Sequence, residues 1–389
     1  MNVVLLDGVI MYYPWGRHDF IANLQRRLTP SEKPEAELWF GAHHKGPSSA
    51  RGVDGCETLL DVIATDPKRW LGPDVVAQYG PQLPFLLKVL AVNEPLSLQL
   101  HPDEALVAAL ASDSDPDRIL ADHRPKPEMV VALGELRAMC GFLHSLGASR
   151  VIDEIVAVSG DDAWLWVRQQ VESDGVASAV AALVMADDAR VAALLGALRV
   201  ACDRTAFAPH AAVICELLTR YPNDRSVAIV VLMQLVVLTD GEALFIPPGV
   251  LHCYLTGAGV EVMASSDNVL RVGLTQKPCH PAVVNRQLAA ARQVATLVDG
   301  APDGNMRAYR VDTAWFALNR CTVTHDGVML PTPKRGPQIV LVAGGDVTVT
   351  QTNGDEHTLG SGAGLFVAAG TRDVTLHGEA DVFVATLGA

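Results

Sequence analysis

Closely spaced turns divide most of the chain into short apolar segments, and this pattern limits the fold more than any other feature. Residues 84–101 contain two apolar runs on either side of an Asn-Glu-Pro turn at 93–95, which predicts two strands joined by a turn. Residues 128–133 are a third strand candidate, and the same pattern returns in residues 227–277 and 306–389. Many short strands between regular turns are typical of a β-barrel or a sandwich. The sequence therefore predicts a mainly β protein.

Residues 149–219 interrupt this pattern. Alanine, leucine and valine recur there at helical spacing, as in VASAVAALVMADDARVAALLGALRV, with aspartate and arginine on the other face. This stretch is predicted to be a helical insert. Because a chain of 389 residues is long for a single core, we expect two or three domains.

Two segments of the β portions resemble one another. GEALFIPPGVLH at 241–252 and GAGLFVAAGTRD at 362–373 share Gly, Leu, Phe and Gly at matched places. The match predicts a duplicated β-domain, although chance similarity in a glycine-rich chain is the alternative. The second copy has Asp373 where the first has His252, so any metal chemistry is expected in the first copy.

Composition excludes several classes of protein. The net charge of −14 argues against a broad surface for nucleic acid. The amino terminus lacks a basic region before its apolar run, so we expect no secretory signal. The uncharged residues 226–239 are too few for a membrane helix, and residues 243–260 contain too many prolines and glycines. Seven cysteines without CxxC spacing predict reduced thiols in a cytoplasm.

Four residues form a possible metal-binding set. Gln99 and His101 are two apart on a predicted strand and therefore leave the same face. His252 follows a rigid Pro-Pro-Gly bend, and Glu128 begins another strand. Two imidazoles, one carboxylate and one amide oxygen suit zinc in a catalytic site. The alternative is that both histidines are ordinary polar residues near strand ends, and Cys253 is expected to face away.

A second polar cluster follows His252. Tyr254 shares its strand face, and Glu261 and Arg271 lie inside apolar strands, where a charge is costly unless it is paired or used. A structural salt bridge between Glu261 and Arg271 is the alternative to a functional role. Three further charged residues have simple alternatives as turn, surface or loop residues: Asp267, Lys277 and Lys126.

Together these stretches resemble the type I mannose-6-phosphate isomerases. The resemblance depends on YYPWG (12–16), PEAELWFGAH (34–43), LLKVL (86–90), PLSLQLHPDE (95–104), KPEMVVAL (126–133) and IPPGVLHCYLTGAGVEVMASSDNVLRVGLTQK (246–277). The last stretch is the most specific, because its His, Tyr, Glu, Asp, Arg and Lys all fall at the family's spacing. One departure is Pro125, since family members often have histidine before the Lys-Pro-Glu sequence.

The resemblance implies a fold that is mainly β with a helical insert: two cupin-type jelly-roll barrels plus an α-helical domain. Residues 1–146 and 227–295 would form the catalytic barrel, 147–226 the helical insert domain and 296–389 a metal-free barrel. One Zn²⁺ per chain would be held by the predicted ligands, Gln99, His101, Glu128 and His252.

The implied reaction interconverts mannose 6-phosphate and fructose 6-phosphate through a cis-enediol. Arg271 corresponds to the main catalytic arginine, and either Glu261 or Lys126 is expected to be the base. The resemblance also places Tyr254, Asp267 and Lys277 around the substrate, a small-molecule sugar phosphate. We further expect a cytoplasmic monomer or weak homo-oligomer that binds neither nucleic acid nor membrane.

Two other functions are compatible with such a fold. A metal-dependent cupin oxygenase usually holds redox iron through more histidines, so Gln99 argues against it. A sugar-binding or regulatory protein without catalysis is the second alternative, since a fold does not define a function. The presence of every catalytic-type residue, including Arg271, argues against that alternative.

Overall fold

Two large antiparallel sheets and a group of helices make up the protein. The computed structural model describes residues 2–112, 119–204, 207–290, 292–332, 336–351 and 354–388. Its strands are β1 (Val3–Asp7), β2 (Val9–Met11), β3 (Glu37–Phe40), β4 (Ser49–Arg51), β5 (Phe85–Val92), β6 (Leu98–Leu100), β7 (Glu128–Phe142), β8 (Met233–Leu238), β9 (Ala243–Ile246), β10 (His252–Ala264), β11 (Leu270–Gly273), β12 (Thr296–Val298), β13 (Ala301–Asp303), β14 (Met306–Tyr309), β15 (Ala317–Val323), β16 (Val328–Met329), β17 (Gln338–Thr350), β18 (Glu356–Gly360), β19 (Ala363–Val367) and β20 (Thr375–Thr386). Its helices are α1 (Phe20–Leu24), α2 (Leu59–Thr65), α3 (Pro67–Leu71), α4 (Pro73–Tyr79), α5 (Glu104–Ser112), α6 (Ser145–Ser159), α7 (Leu165–Met185), α8 (Asp188–Arg204), α9 (Ala211–Arg220), α10 (Ser226–Val230) and α11 (Pro281–Ala290).

The first sheet has the strand order β12-β9-β7-β10-β5-β3-β2, with β8 paired to β7, β6 paired to β10 and β11 paired to β6. The second sheet has the order β13-β14-β15-β20-β17-β19-β1-β4, with β16 on β20 and β18 on β17. The two strands and the turn predicted in residues 84–101 are confirmed as β5 and β6. The strand predicted at 128–133 is confirmed as the first part of β7.

The amino-terminal strand does not join the first sheet. β1 pairs with β19, opposing Val3 to Val367, and β4 pairs with the other edge of β1. Residues 1–146 therefore contribute strands to both sheets, which their assignment to a single β-domain with residues 227–295 did not foresee. Pairing between the two ends of a chain leaves no local sequence pattern by which to predict it.

The two similar segments occupy equivalent positions in the two sheets. β7 pairs with β8, β9 and β10, and β17 pairs in the same way with β18, β19 and β20. The matched glycines that precede β9 and β19, Gly241 and Gly362, have φ angles of 82° and 79°. Glycine is favoured there because side chains disfavour this left-handed conformation. The shared pairing supports the predicted duplication.

The helices from α6 to α9 occupy the stretch where helical spacing was predicted, whereas α10 at 226–230 lies at the start of the stretch where strands were predicted. In α6 the buried residues Ala148, Val151, Ile152 and Ile155 repeat every three or four positions and form its packing face. This core continues onto apolar side chains of β6 and β11, so the helices cover one face of these strands. In the described part of the chain no helix combines the length and apolar character needed to cross a membrane.

One pair of cysteines is oxidised. Cys202 in α8 and Cys215 in α9 form a disulfide with their Cα atoms 5.7 Å apart. The prediction that all seven cysteines are reduced is therefore wrong, because the packing of α8 against α9 brings together two thiols whose spacing carries no motif. The cytoplasmic assignment loses the support that it drew from reduced thiols. The free cysteines are Cys56, Cys140, Cys253, Cys279 and Cys321.

Candidate active site and metal centre

Three predicted metal ligands meet in the first sheet. His101 follows β6, Glu128 begins β7 and His252 begins β10. Nε2 of His101 lies 3.1 Å from Oε2 of Glu128, and Nε2 of His252 lies 3.0 Å from Oε1 of the same carboxylate. All three side chains are buried. Their ligand atoms are close enough together to hold one metal ion.

The orientation of the imidazoles favours a cation between them. Nδ1 of His101 bonds the backbone oxygen of Asn268 over 2.7 Å, and Nδ1 of His252 bonds that of Val250 over 2.9 Å. A carbonyl only accepts, so Nδ1 donates in each case and the neutral ring presents an unprotonated Nε2. Both Nε2 atoms and Oε1 of Glu128 are buried and lack a hydrogen-bond partner among the described residues. Facing acceptors of this kind fit a metal ion.

The protonation states agree with this arrangement. Burial and the nearby ammonium of Lys126 lower the pKa of His101 to about 4, so that its ring is neutral. Burial alone would raise the pKa of Glu128, but His101, Lys126 and His252 outweigh it and hold that pKa well below its usual value. The set thus offers a neutral imidazole from His101 and an ionised carboxylate from Glu128.

Gln99 lies next to this group. It is opposite His252 in the pairing of β6 with β10, and opposite Arg271 in the pairing of β6 with β11. Its neighbours Leu98 and Leu100 are buried in the helical core, whereas Gln99 lines a cavity, which confirms the predicted alternation. The hydroxyl of Ser97 donates to Oε1 of Gln99 over 2.8 Å and orients the amide.

A cavity of about 470 Å³ opens beside the metal ligands, a size that suits a small molecule. Its walls come from β3, β5, β6, β10 and β11 and from the loops that follow β10 and β11. Five of the residues predicted from the sequence line it: Gln99, Lys126, Asp267, Arg271 and Lys277.

Two of the cations in this cavity have no anionic partner among the residues that the structure describes. Arg271 makes neither a hydrogen bond nor an ion pair through its side chain with any described residue, and the ammonium of Lys277 is likewise unpaired. Burial lowers the pKa of Arg271. Burial, Arg271 and Lys45 together lower the pKa of Lys277, which shows that positive charges converge here. In a protein with a net charge of −14, this local excess favours an anionic ligand.

Glu261 forms an ion pair with Lys88 rather than with Arg271. Nζ of Lys88 lies 3.4 Å from Oε2 of Glu261 and 3.5 Å from Oε2 of Glu37, and all three residues are buried. Burial lowers the pKa of Lys88, but the two glutamates outweigh it and raise that pKa. Burial and the charge of Glu128 raise the pKa of Glu261 to about 7, while Lys88 opposes them.

Lys88 and Glu37 were missed as site residues. Lys88 stands in the middle of FLLKVLAV, an otherwise apolar strand, where a charge is as costly as the charge of Glu261 in β10. Lys88 lies opposite Glu261 in the pairing of β5 with β10, and the sequence does not show this pairing. The same cost argument, applied to every charged residue within an apolar strand, identifies Lys88.

Tyr254 lies behind the cavity wall. Its side chain is buried, and its hydroxyl donates to Oε1 of Glu261 over 3.2 Å. Burial raises the pKa of Tyr254 well above its usual value, so the phenol remains protonated. In this structure Tyr254 contacts a predicted catalytic residue and is absent from the cavity lining.

The two remaining predicted residues contact charged neighbours. Oδ2 of Asp267 lies 2.9 Å from Nζ of Lys45, and Oδ1 lies 3.5 Å from Nε2 of His43, two partners that the sequence did not single out. Burial raises the pKa of Asp267, but Lys45 and His43 outweigh it and lower that pKa. Lys126 is buried rather than exposed in a loop, and its Nζ lies 3.7 Å from Oε2 of Glu128.

Known proteins share both this sequence and this fold. The family model of the phosphomannose isomerase type I catalytic domain matches residues 3–144. Mannose-6-phosphate isomerase of Escherichia coli is 30% identical over 96% of this chain and 97% of its own length. Mannose-6-phosphate isomerase 1 of Arabidopsis thaliana is 30% identical over 95% of this chain and 90% of its own. A solved phosphomannose isomerase of Salmonella typhimurium, a single-residue mutant, superposes with a TM-score of 0.89 and 25% identity over 100% of both chains.

These similarities identify the chain as an enzyme of the aldose-ketose isomerase class. Within that class the chain belongs to the type I phosphomannose isomerase family.

Proposed function

We propose that this isomerase interconverts mannose 6-phosphate and fructose 6-phosphate with one zinc ion per chain. The observation that carries the proposal is the convergence of two buried, unpartnered Nε2 atoms on the carboxylate of Glu128, beside a cavity with unpaired cations. The names of the relatives supply mannose 6-phosphate as the substrate, and fructose 6-phosphate is the ketose that an aldose-ketose isomerase would form from it. A protein of the same fold that is 24% identical was solved as mannose 6-phosphate isomerase bound with zinc and yttrium.

The donor set suits zinc. Nε2 of His101, Nε2 of His252 and the carboxylate of Glu128 would bind the ion, with the amide oxygen of Gln99 as the fourth protein ligand. When bound, zinc supplies Lewis-acid stabilisation of negative charge that develops on oxygen. A set with one carboxylate leaves net positive charge at the centre, and Gln99 argues against an iron oxygenase.

Arg271 and Lys277 would receive the anionic parts of the substrate. The backbone position of Arg271 is opposite Gln99, which puts a half-buried guanidinium beside the proposed metal site. Its charge would stabilise the cis-enediol intermediate as it becomes negative, and such pre-aimed donors are commonly a large part of catalysis. Lys277, farther along the same wall, would bind the phosphate group together with Arg271.

A base must move the proton between C2 and C1, and two residues remain candidates. Glu261 has a pKa of about 7, which suits a group that accepts and returns a proton near neutral pH. Lys126 lines the cavity, and its Nζ lies 3.7 Å from Oε2 of Glu128. Tyr254 would hold Glu261 in place, and Asp267 would hold Lys45 at the cavity edge.

The proposal extends to the fold and its organisation. We infer two cupin-type jelly-roll barrels, with the α-helical domain of residues 147–226 inserted in the first. Residues 1–146 and 227–295 would form the first barrel, apart from β1 and β4, and residues 296–389 the second, without metal. β1 and β4 pair in the second sheet. The matching pairings of β7 and β17 support two related barrels. A cytoplasmic monomer or weak homo-oligomer remains our prediction.

A coupled assay that follows conversion of mannose 6-phosphate to fructose 6-phosphate tests the function. Activity is expected to disappear after dialysis against a chelator and to return with zinc, and metal analysis is expected to find one zinc per chain. His252→Ala should lose both metal and activity. The matched control is His210→Ala, which alters a buried histidine that bonds the backbone oxygen of Val231 in the helical region. Full activity in metal-free protein, or tightly bound iron, would refute the proposal.

A further inference from the structure

Each metal-ligand histidine is oriented by a backbone carbonyl rather than by a side chain. The oxygen of Asn268 receives the Nδ1 proton of His101, and the oxygen of Val250 receives that of His252. Both carbonyls lie in loops, where backbone position is not fixed by strand pairing. The direction in which each Nε2 points therefore depends on whatever holds these two loops in place.

The side chain of Asn268 holds the first loop. It is fully buried, and its Oδ1 accepts the backbone N–H of Ala121 over 2.8 Å and that of Asp122 over 3.2 Å. Its Nδ2 donates to the backbone oxygens of Asp122 and Arg124 over 2.9 and 2.8 Å. One amide thus fastens the loop after β10 to the segment that precedes β7, and the same residue supplies the carbonyl bound by His101.

The side chain of Gln293 holds the second loop in a comparable way. It is buried, and its Oε1 accepts the backbone N–H of Leu251 over 2.9 Å. Its Nε2 donates to the backbone oxygen of Gly249 over 2.6 Å. These two contacts fall on either side of Val250, whose carbonyl binds His252. The amide therefore fixes the peptide groups that flank that carbonyl.

The second loop also contacts the other metal-ligand histidine through the backbone. The backbone N–H of Gly249 donates to the backbone oxygen of His101 over 2.7 Å. A shift of the second loop would thus be transmitted to His101 as well as to His252. Among the described residues neither amide is hydrogen-bonded to a metal-ligand side chain, and neither Asn268 nor Gln293 lines the cavity.

We propose that Asn268 and Gln293 are positioning residues that set the affinity of the site for zinc by holding the two carbonyls that orient His101 and His252. The inference depends on the proposed metal site and adds the residues that preorganise it. Loss of an outer contact of this kind typically weakens metal binding about 10- to 100-fold.

The test measures zinc dissociation constants by competition with a chromogenic chelator, in Asn268→Ala, Gln293→Ala and the wild type. Gln338→Ala is the matched control, because it removes a buried amide that bonds the backbone oxygen of Pro331 in the second sheet. We expect both site variants to bind zinc about 10- to 100-fold more weakly, and the control to bind as the wild type does. At saturating zinc, kcat should recover while KM for mannose 6-phosphate stays unchanged throughout.

Two outcomes overturn the inference. Wild-type zinc affinity in folded Asn268→Ala and Gln293→Ala would show that the amides serve the fold alone. If either alanine variant fails to fold by circular dichroism, the milder Asn268→Ser and Gln293→Asn replace it, and unchanged affinity in these contradicts the inference equally. If the wild-type protein itself bound no zinc, the proposed metal site would be refuted. That result is distinct from equal zinc affinity in the wild type and the variants, which contradicts only the positioning roles of Asn268 and Gln293.

Discussion

The hydroxyl of Tyr254 donates a hydrogen bond to Oε1 of Glu261 over 3.2 Å, with both side chains buried behind the cavity wall. A donor of this kind favours the ionised carboxylate and lowers its pKa. Burial and the charge of Glu128 act in the opposite direction and raise the pKa of Glu261 to about 7. Neither residue lines the cavity, so the ionisation of this candidate base depends on contacts behind the cavity wall.

Tyr254→Phe is expected to move the acidic limb of the pH profile of kcat/KM upward by about one pH unit, since a hydrogen bond to a charged group contributes about 1.5 kcal/mol. The base works ionised, so activity rises with pH through its pKa, and loss of the donor raises that pKa. Tyr309→Phe is the control, because that hydroxyl bonds the backbone oxygen of Gly241. A limb that stays in place would argue for Lys126 as the base.

Arg271→Ala is expected to lower kcat by about 100-fold or more, as loss of one pre-aimed donor commonly does. Zinc content should remain at the wild-type level, because the guanidinium is not a metal ligand. Steady-state kinetics and metal analysis on the same preparation check both points. Arg310→Ala, which removes an exposed arginine paired with Asp303, should change neither quantity. Near-wild-type turnover in Arg271→Ala would refute its catalytic role.

Lys277→Ala is expected to raise KM for mannose 6-phosphate about 10-fold, which corresponds to about 1.4 kcal/mol of lost phosphate binding. Inhibition by inorganic phosphate should weaken in parallel. Lys45→Ala is the comparison, because Asp267 already neutralises that ammonium and its loss should affect KM less. Equal effects of the two substitutions would contradict the assignment of the phosphate to Lys277.

Removal of the disulfide by Cys215→Ser is expected to lower the free energy of unfolding of the helical region by about 3 kcal/mol. Cys202 and Cys215 are 13 residues apart, so the bond closes a short loop in the unfolded chain. Guanidinium titration followed by far-ultraviolet circular dichroism measures the change. The control is Cys56→Ser, which alters a free thiol. Unchanged stability under oxidising conditions would contradict this prediction.

Local patterns predicted the parts of the site that depend on one strand. Alternation along β6 places Gln99 on the cavity side and Leu98 and Leu100 in the helical core, as expected. The starts of β7 and β10 at Glu128 and His252 follow prolines that the sequence displays. The alternation along β6 could be predicted because side-chain direction in a strand has a period of two.

Relations between distant segments could not be predicted from such patterns. The pairing of Glu261 with Lys88 depends on the register of β10 against β5, which the sequence does not display. The disulfide of Cys202 and Cys215 depends on how two helices pack. The proposed positioning roles of Asn268 and Gln293 depend on contacts within loops, and loops have no periodic sequence pattern.

The partnership of β1 with β19 also concerns the order of events at the ribosome. Val3 is translated long before its neighbour Val367, because most of the residues of both sheets lie between them in the sequence. Throughout that interval one edge of the apolar strand β1 has no partner strand, and an exposed strand edge can pair with another chain. Completion of the second sheet therefore has to wait until β19 has been translated, and it joins two segments that are far apart in the sequence.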